Sequence, residues 1–530
     1  MGLLKITRGK RGFKITTDNG NVQRRLELYG EELIQPKIER QRGKVTVVPG
    51  DKYYVHSERH KSYYFMNTHY HSIMELIDNY SRGTGLANID IVEEDVMPCD
   101  GTDVDFSKHT LNLVEPDGSE FDYQNPIVAH TSREGHNHNI LEVQTGKGKT
   151  AMAMKTIVNI GKRTLIITKP GYVDKWTGDL TNKDYSLSLR PGELIRIGGG
   201  KSSSSKMEEM DALIEMGRNG ELDGGKGRKE CKVILISSKT FDNWIKHQLE
   251  NDVEQVFEQF MNITGCGVLT YDESHEWFRM NYWTFMLLNP ARVLDLSATL
   301  IPGDDVFIKH RYDERFPKIC RYNDLEYDRY IDALGIYYHT TDQKIIDRMN
   351  RMKLYNHIEF EKMVMKRKGS QEAYFAMVKD LIDMFYKNKK WEKGQRALIF
   401  FASREMCTRF TEYAKKAYPD LDVKRHIQGD NYDEFVKADL GVSTPGKSGT
   451  AVDIPGLVLT IVTVCLSKED KNLQILGRTR KVRDWDLSPK AIFLHCQQLV
   501  KHLVYLKRRQ KMFRNKVQSF KILNSKFIIK

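Results

Sequence analysis

The sequence predicts an α/β fold: two tandem parallel-sheet domains, a small β-rich domain before them and a basic helical tail after them. Three observations carry this. Apolar runs with polar ends recur between helical stretches, as buried parallel strands do. They are Ile140-Leu141-Glu142-Val143, Thr164-Leu165-Ile166-Ile167-Thr168, Val233-Ile234-Leu235-Ile236-Ser237, Val268-Leu269-Thr270-Tyr271-Asp272, Val293-Leu294-Asp295-Leu296-Ser297, Arg396-Ala397-Leu398-Ile399-Phe400-Phe401 and Ala491-Ile492-Phe493-Leu494-His495. A chain of 530 residues is too long for one ordinary domain. Residues 1–65 instead alternate in short strands broken by turn signals, and residues 497–530 are rich in Lys and Arg with no Asp or Glu.

Composition narrows the class. Hydrophobic content of 40% with 29% charged residues is globular, not disordered. Lys and Arg number 83 against 71 Asp and Glu, a net +12 that favours a polyanionic partner. The seven cysteines form no C-x-x-C pair, which argues for a reducing compartment without a disulfide frame or a structural zinc. The start lacks a signal-peptide core, Gly2 lacks the Ser or Thr at position 6 that acylation wants, and no run reaches membrane-span length. The expectation is a soluble cytoplasmic protein with no membrane partner.

Residues 1–95 are expected to form the small domain. Asp18-Asn19-Gly20-Asn21 and Pro49-Gly50-Asp51 read as turns between strands, and a helix is expected near 71–79. Lys5, Arg8, Lys10, Arg11, Lys14, Arg24 and Arg25 crowd its first part. Tyr53, Tyr54, His56, Arg59, His60, Lys61, Tyr63, Tyr64 and Phe65 then interleave rings with cations. Such interleaving suits phosphate contact and base stacking; a β-domain with a solvated basic face and aromatic core positions is the alternative. Residues 93–108 read as a linker.

The first parallel domain is expected over 96–310. Gln144-Thr145-Gly146-Lys147-Gly148-Lys149-Thr150 follows an apolar strand and opens into a helix. Such a loop turns backbone N–H groups and a helix N-terminus toward a polyphosphate, with Lys149 reaching the β- and γ-phosphates and Thr150 on Mg²⁺. The pattern is a shortened T-G-x-G-K-T, since Val143 stands where a further glycine is usual. Upstream, Phe121-Asp122-Tyr123-Gln124 offers an aromatic and a glutamine for adenine. Thr168-Lys169-Pro170 ends the next strand, with Trp176 in the helix beyond. Asp272-Glu273-Ser274-His275 ends another: Asp272 can hold the Mg²⁺ water shell, Glu273 can serve as base, and His275 can sense the γ-phosphate. Ser297-Ala298-Thr299 closes a further strand on two hydroxyls.

Glycine loop, D-E-S-H and S-A-T in this order resemble the superfamily 2 helicases and translocases, DExH branch, over roughly 110–500. The resemblance implies RecA-like domains, ATP and Mg²⁺ as cofactors, and named roles. Thr145, Gly146, Lys147, Gly148, Lys149 and Thr150 would form motif I. Asp272 to His275 would be motif II and Ser297 to Thr299 motif III. Thr168, Lys169 and Pro170 would hold the tracking strand, as would Ser237.

Residues 311–390 are charged and helical in pattern, either a connection or the early helices of the second domain, with Ser370 as a plausible N-cap. The second domain is expected over 391–500. Its strand end at Ser403 resembles motif IV. Gly449-Thr450-Ala451-Val452-Asp453 resembles motif V, with Thr450 on a nucleic-acid phosphate and Asp453 on the nucleotide side. Gln474-Ile475-Leu476-Gly477-Arg478-Thr479-Arg480-Lys481 resembles motif VI. The usual spacing puts Lys481 where a second arginine belongs, so Arg478 is the first choice for the arginine that stabilises the transferring phosphoryl group and Arg480 the second. Residues 501–530 are expected to be a basic amphipathic tail on nucleic acid, or a helix packed on the second domain.

By this resemblance the chain is an ATP-dependent DNA helicase. In architecture it is similar to the UvsW-type recombination helicases of large tailed phages, which act on forks and Holliday junctions. DNA that is branched, forked or single-stranded is the implied partner, with recombination or replication proteins as companions. A transcript-release helicase, a double-strand translocase and a non-catalytic nucleic-acid clamp remain alternatives. The D-E-S-H and Q-x-x-G-R patterns differ from those typical of RNA helicases.

Overall fold

The computed structural model describes residues 2–41, 44–84, 89–107, 109, 122–182, 187–199, 203–225, 227–251, 256–298, 300, 305–322, 328–353, 355–387, 392–427, 429–448, 454–479, 481 and 485–529. They divide into two compact units, Met1–Val143 with Lys147–Asn323 and Gln144–Gly146 with Asp324–Lys530.

In the first unit, β1 (Gly2–Arg8) and β2 (Gly12–Thr17) are followed by β3 (Ile34–Gln41), β4 (Lys44–Lys52), β5 (Val55–Ser57), β6 (Ser62–Met66) and β7 (Ile89–Asp95). Five of these form a sheet in the order β5-β6-β2-β1-β7, while β3 and β4 pair as a separate antiparallel ribbon. Three expectations change here. Pro49-Gly50-Asp51 is not a turn between strands but lies within β4. Asn19 is not a hairpin corner: its side chain accepts from the N–H groups of Asn21 and Val22 and caps the helix Gly20–Glu31. The start of the expected linker is the end of β7, which lies parallel to β1. The expected helix is present as Tyr70–Thr84.

The aromatic stretch is core. Tyr53, Tyr54, Tyr63, Tyr64 and Phe65 are all buried, and every residue of β6 is buried, so both faces of that strand are covered. Tyr53 meets Tyr282 edge-on at 5.1 Å, Tyr54 stacks on Phe65 at 5.8 Å, and the Tyr64 hydroxyl bonds Glu258. These rings therefore cannot stack on bases. The alternative, aromatic core positions under a charged surface, is what the chain builds.

The first parallel sheet comprises β8 (His138–Glu142), β9 (Thr164–Thr168), β10 (Leu194–Ile197), β11 (Val233–Ser237), β12 (Val268–Asp272), β13 (Arg292–Ser297) and β14 (Arg321–Tyr322), ordered β10-β11-β9-β12-β13-β8-β14. In register, Tyr271 faces Ile167 and Asp295, and Ser297 faces Glu142. The ends of β8, β9, β12 and β13 thus lie side by side, which is where an open α/β sheet holds its ligands. One hydrophobic core runs from the N-terminal sheet, through the helix Phe278–Leu287, into this sheet.

The second unit carries β15 (Asp332–Thr340), β16 (Arg396–Phe400), β17 (Val423–His426), β18 (Leu440–Ser443), β19 (Leu457–Val462), β20 (Lys490–Cys496) and β21 (Ser519–Ile529) in a second all-parallel sheet, ordered β17-β18-β16-β19-β20-β15-β21. The span 311–390 is not a free-standing connection. It holds β14 of the first sheet, the inner strand β15 of the second, and the helices Gln343–Arg351, His357–Met365 and Lys368–Phe385. Ser370 sits buried inside the last of these, not at its cap. The tail opens as the helix Val500–Phe513, with Leu506 and Phe513 buried, and returns as the edge strand β21 beside β15. All seven cysteines are free thiols. Among the described residues no helix is long and apolar enough to cross a membrane.

Candidate active site

The glycine loop joins β8 to the helix Lys149–Ile160. Gly146 and Gly148 have φ of 92° and 78°, the left-handed region where a side chain is strained. Gly148 is fixed twice over, since a Cβ there would come within 2.4 Å of Gln124 Nε2. As N-cap it offers no side chain, so the first-turn N–H groups have no side-chain cap and suit an anion. Gln124 and Tyr123 both donate to the Lys147 carbonyl, at 3.2 and 3.0 Å, so the expected adenine-reading segment braces the loop. Lys149 Nζ donates to the Val143 carbonyl at 3.0 Å. Thr150 lies half-buried in the first helical turn.

Asp272 ends β12 and is half-buried. Its Oδ2 accepts from Trp176 Nε1 at 2.7 Å and from Thr168 Oγ1 at 3.3 Å. Burial pushes its carboxyl up, and the neighbouring Glu273 adds to that; Trp176, Lys175 and Lys149 pull the other way. A carboxylate desolvated in this way, within the field of Lys149, suits a divalent cation. Glu273 follows at φ 50°, and its Oε2 is buried without a hydrogen-bond donor. His275 Nδ1 lies 3.5 Å from it and bonds Ser297 Oγ at 2.8 Å. A buried acceptor left open beside a cation-competent carboxylate is what a water-activating base needs. The first unit therefore gathers Lys149, Asp272, Glu273, His275 and Ser297 at adjoining strand ends.

Several residues expected at nucleic acid have protein partners of their own in the structure. Thr168 is buried, with its hydroxyl on Asp272, so it faces the carboxylates. Ser237 is buried and caps the helix Ser238–Glu250 through the Thr240 N–H. Ser403 caps the helix Arg404–Ala417 through Met406 N–H, and its own N–H, with that of Ala402, donates to the buried Glu361 at 2.7 and 2.6 Å. Burial pushes the Glu361 carboxyl up to about 7. Lys169 lies 3.3 Å from Glu276 and over the Tyr172 ring, and Pro170 starts the turn Pro170–Tyr172. In the second unit, Gln474 is buried in the helix Glu469–Leu476 and accepts from Lys471 at 3.1 Å; Arg478 is half-buried and Lys481 exposed. Phe121, Thr299, Thr450, Asp453 and Arg480 lie outside the described residues. Sequence reasoning missed Trp176 as a partner of Asp272 and missed Glu361 altogether, because neither has a spacing that ties it to its partner.

A second cluster, in the second unit, brings His357, Cys465 and His502 together, their donor atoms within 4.8 Å of one another. Hydrogen bonding engages the cluster without an ion, except at His357 Nε2, which is buried with no hydrogen-bond partner among the described residues. Cys496 N–H donates to His502 Nδ1 at 2.8 Å, which leaves the proton on Nε2, directed at Tyr355 Oη at 2.5 Å; that hydroxyl then donates to His357 Nδ1 at 2.7 Å. The imidazole lone pairs are used in this relay. Burial holds all three rings of this region, His357, His495 and His502, below the usual histidine range and therefore neutral.

Residues 117–301 match the family model described as type III restriction enzyme, res subunit. No curated protein matches the sequence. Among solved structures the chain is similar to S. cerevisiae Dbp5 bound to RNA and ADP BeF3, at 11% identity and TM-score 0.46, over 76% of this chain and 89% of that one. It is similar to a fragment of a putative HsdR subunit of a type I restriction enzyme from Vibrio vulnificus YJ016, at 12% identity and TM-score 0.45, over 76% and 68%. It is also similar to T4 UvsW, at 13% identity and TM-score 0.30, over 98% and 99%. No residue's role is carried over from these likenesses.

Proposed function

We propose that the chain is a superfamily 2 helicase-like ATPase and, more finely, a DNA helicase or translocase acting on branched DNA. The observation that carries the reading is the open, buried Oε2 of Glu273 beside Asp272, two sheet positions from the strand that leads into the glycine loop. The match of residues 117–301 supports it, since that range spans the glycine loop, D-E-S-H and Ser297.

In this mechanism Lys149 leaves the Val143 carbonyl for the β- and γ-phosphates, and the first-turn N–H groups hold the phosphate chain. Thr150 and Asp272 would hold Mg²⁺, which when bound neutralises charge on the transferring phosphoryl group. Glu273 takes a proton from water as its oxygen attacks phosphorus and ADP leaves. Ser297 holds His275, so the state of the carboxylate pair is felt at the end of β13. Arg478, with Arg480 second, and Gln474 are the residues of the second unit proposed to act on the nucleotide; Asp453 is proposed beside them. Lys169, Pro170 and Thr450 remain the proposed phosphate contacts, and such contacts tolerate any sequence.

The test is ATP hydrolysis with and without nucleic acid, together with strand release from a four-way junction, a fork, a tailed duplex and a tailed RNA duplex. Lys149→Ala and Glu273→Gln should each lower hydrolysis by about 100-fold or more, with Glu273→Gln still binding nucleotide. Preference for junction and fork supports the branched-DNA reading. DNA-stimulated hydrolysis without release leaves a translocase, and release confined to the RNA duplex rejects DNA as substrate. Hydrolysis unchanged in Glu273→Gln removes the catalytic assignment.

A further inference from the structure

The turn that carries Glu273 is strained, yet each of its main-chain carbonyls is hydrogen-bonded. Two non-glycine residues within five positions, Glu273 and Trp277, have φ of 50° and 55°. Left-handed backbone at such residues costs energy and persists only where the surroundings hold it. Every main-chain carbonyl from Glu273 to Trp277 has a donor. Glu276 N–H serves Glu273 at 2.8 Å, and Asn281 N–H serves Trp277 at 3.1 Å. The other three depend on side chains: Asn281 Nδ2 donates to Ser274 at 2.6 Å and to Glu276 at 2.9 Å, and the Tyr312 hydroxyl donates to His275 at 3.3 Å. One buried amide thus holds both flanks of the turn.

Asn281 is itself held by its helix, Phe278–Leu287, which is buried from Met280 to Leu287. The N-terminal sheet lies on it. Trp283 Nε1 donates to the Lys52 carbonyl at 2.8 Å, and Tyr53 packs on Phe278 and Tyr282 at 5.7 and 5.1 Å. β2 comes so close that a Cβ on Gly12 would lie 2.5 Å from the Met286 carbonyl oxygen. From behind, Arg315 Nε reaches the Asn281 carbonyl at 3.5 Å while its guanidinium grips Asp295 on β13.

We infer that Asn281 is the positioning residue for Glu273, and that the N-terminal domain acts as a clamp that keeps its helix, and so the catalytic turn, in the strained form. This rests on the reading of Glu273 as base. It gives the small domain a task in the chemistry that is separate from nucleic-acid contact. Tyr312 contributes the lesser share, through one carbonyl.

The test uses the full chain with Asn281→Leu, which keeps the branched heavy-atom skeleton and removes the donor, and Tyr312→Phe. Two readouts are independent. In amide hydrogen exchange, residues 272–277 of Asn281→Leu should exchange about 10-fold faster or more, with β9 and β11 unchanged. In steady-state kinetics, kcat for ATP should fall about 10- to 100-fold with KM and fluorescent-nucleotide affinity within about twofold, and Tyr312→Phe should move both readouts less. Unchanged exchange of the turn in Asn281→Leu overturns the clamp, whether or not the wild type hydrolyses ATP. Faster exchange with unchanged kcat overturns the positioning role alone. A wild type without hydrolysis fails the ATPase reading, while the exchange result still decides the clamp.

Discussion

Asp295 and Arg315 form the most heavily buried ion pair of the first unit. Both side chains are fully buried, the guanidinium makes two bonds of 2.8 Å to the carboxylate, and His138 Nε2 adds a third at 2.8 Å. Burial alone would push the carboxyl up, but Arg315 and His138 hold it below the usual range. Arg315 also packs over the rings of Phe285 and Tyr271, at 4.0 and 4.8 Å. Such a pair is weak evidence of net stability, yet breaking it leaves a charge in a dry site. Asp295→Ala is therefore expected to cost about 3–5 kcal/mol, read from urea unfolding. The joint change Asp295→Leu with Arg315→Met should recover more than half of that loss, and a double variant as unstable as the single one would sink the argument. Nothing in the sequence announced this pair. Asp295 stood as one polar residue in an apolar strand, and Arg315 as one charge in a charged helix. The glycine loop and D-E-S-H were legible because their chemistry demands fixed residue types at contiguous positions, whereas Trp176, Asn281 and Glu361 meet their partners only through the fold.

Elements were legible in proportion to how local their signal is. The inner strands β9, β11, β12, β13, β16 and β20 stood out as apolar runs, since a parallel strand covered on both faces has no polar side to show. The edge and near-edge strands did not. All of β7 from Asp90 to Asp95 is exposed, β21 is largely so, and β15 begins inside a charged stretch, so their identity comes from pairing with partners far along the chain. The helix His357–Met365 is another element whose role is tertiary, because it delivers Glu361 to the N-terminus of Arg404–Ala417. Burial raises this carboxyl from 4.5 to about 7 in the folded state. A raised carboxyl pKa means the folded state favours the protonated form. Its contribution to stability is complete below the unfolded value and is lost as pH rises through about 7. Glu361→Gln, which cannot ionise, should therefore reduce the loss of unfolding free energy between about pH 5 and pH 8 by roughly 2–3 kcal/mol. A pH profile parallel to the wild type would show that Glu361 stays ionised on the Ala402 and Ser403 amides throughout.

At the scale of the molecule, composition and domain count were legible while the bond between domains was not. The net charge of +12 and the basic N-terminal residues suggested a small domain whose cations meet nucleic acid. The fold makes that domain part of the core of the first unit. Arg11 donates to the Pro290 and Asn137 carbonyls, at 2.6 and 3.1 Å, and Lys14 pairs with Glu258 at 2.7 Å, so two of the expected surface cations are committed to loops and turns around the first parallel sheet. Tyr282, Trp283, Phe285 and Met286 are buried in the same core as the N-terminal rings. Removing residues 1–95 would uncover this helix, and each large apolar side chain returned to water costs about 1.5–3 kcal/mol. A loss shared among several such residues reaches the whole stability of an ordinary domain. The truncated chain is expected to lose its cooperative thermal transition and to bind a hydrophobic dye strongly, with ATP hydrolysis lost even without nucleic acid. An appended module would give the opposite result: an unchanged melting transition, full basal hydrolysis and weaker DNA binding alone. That outcome would return the N-terminal cations to the role their composition suggested and would leave Asn281 to hold the catalytic turn without help.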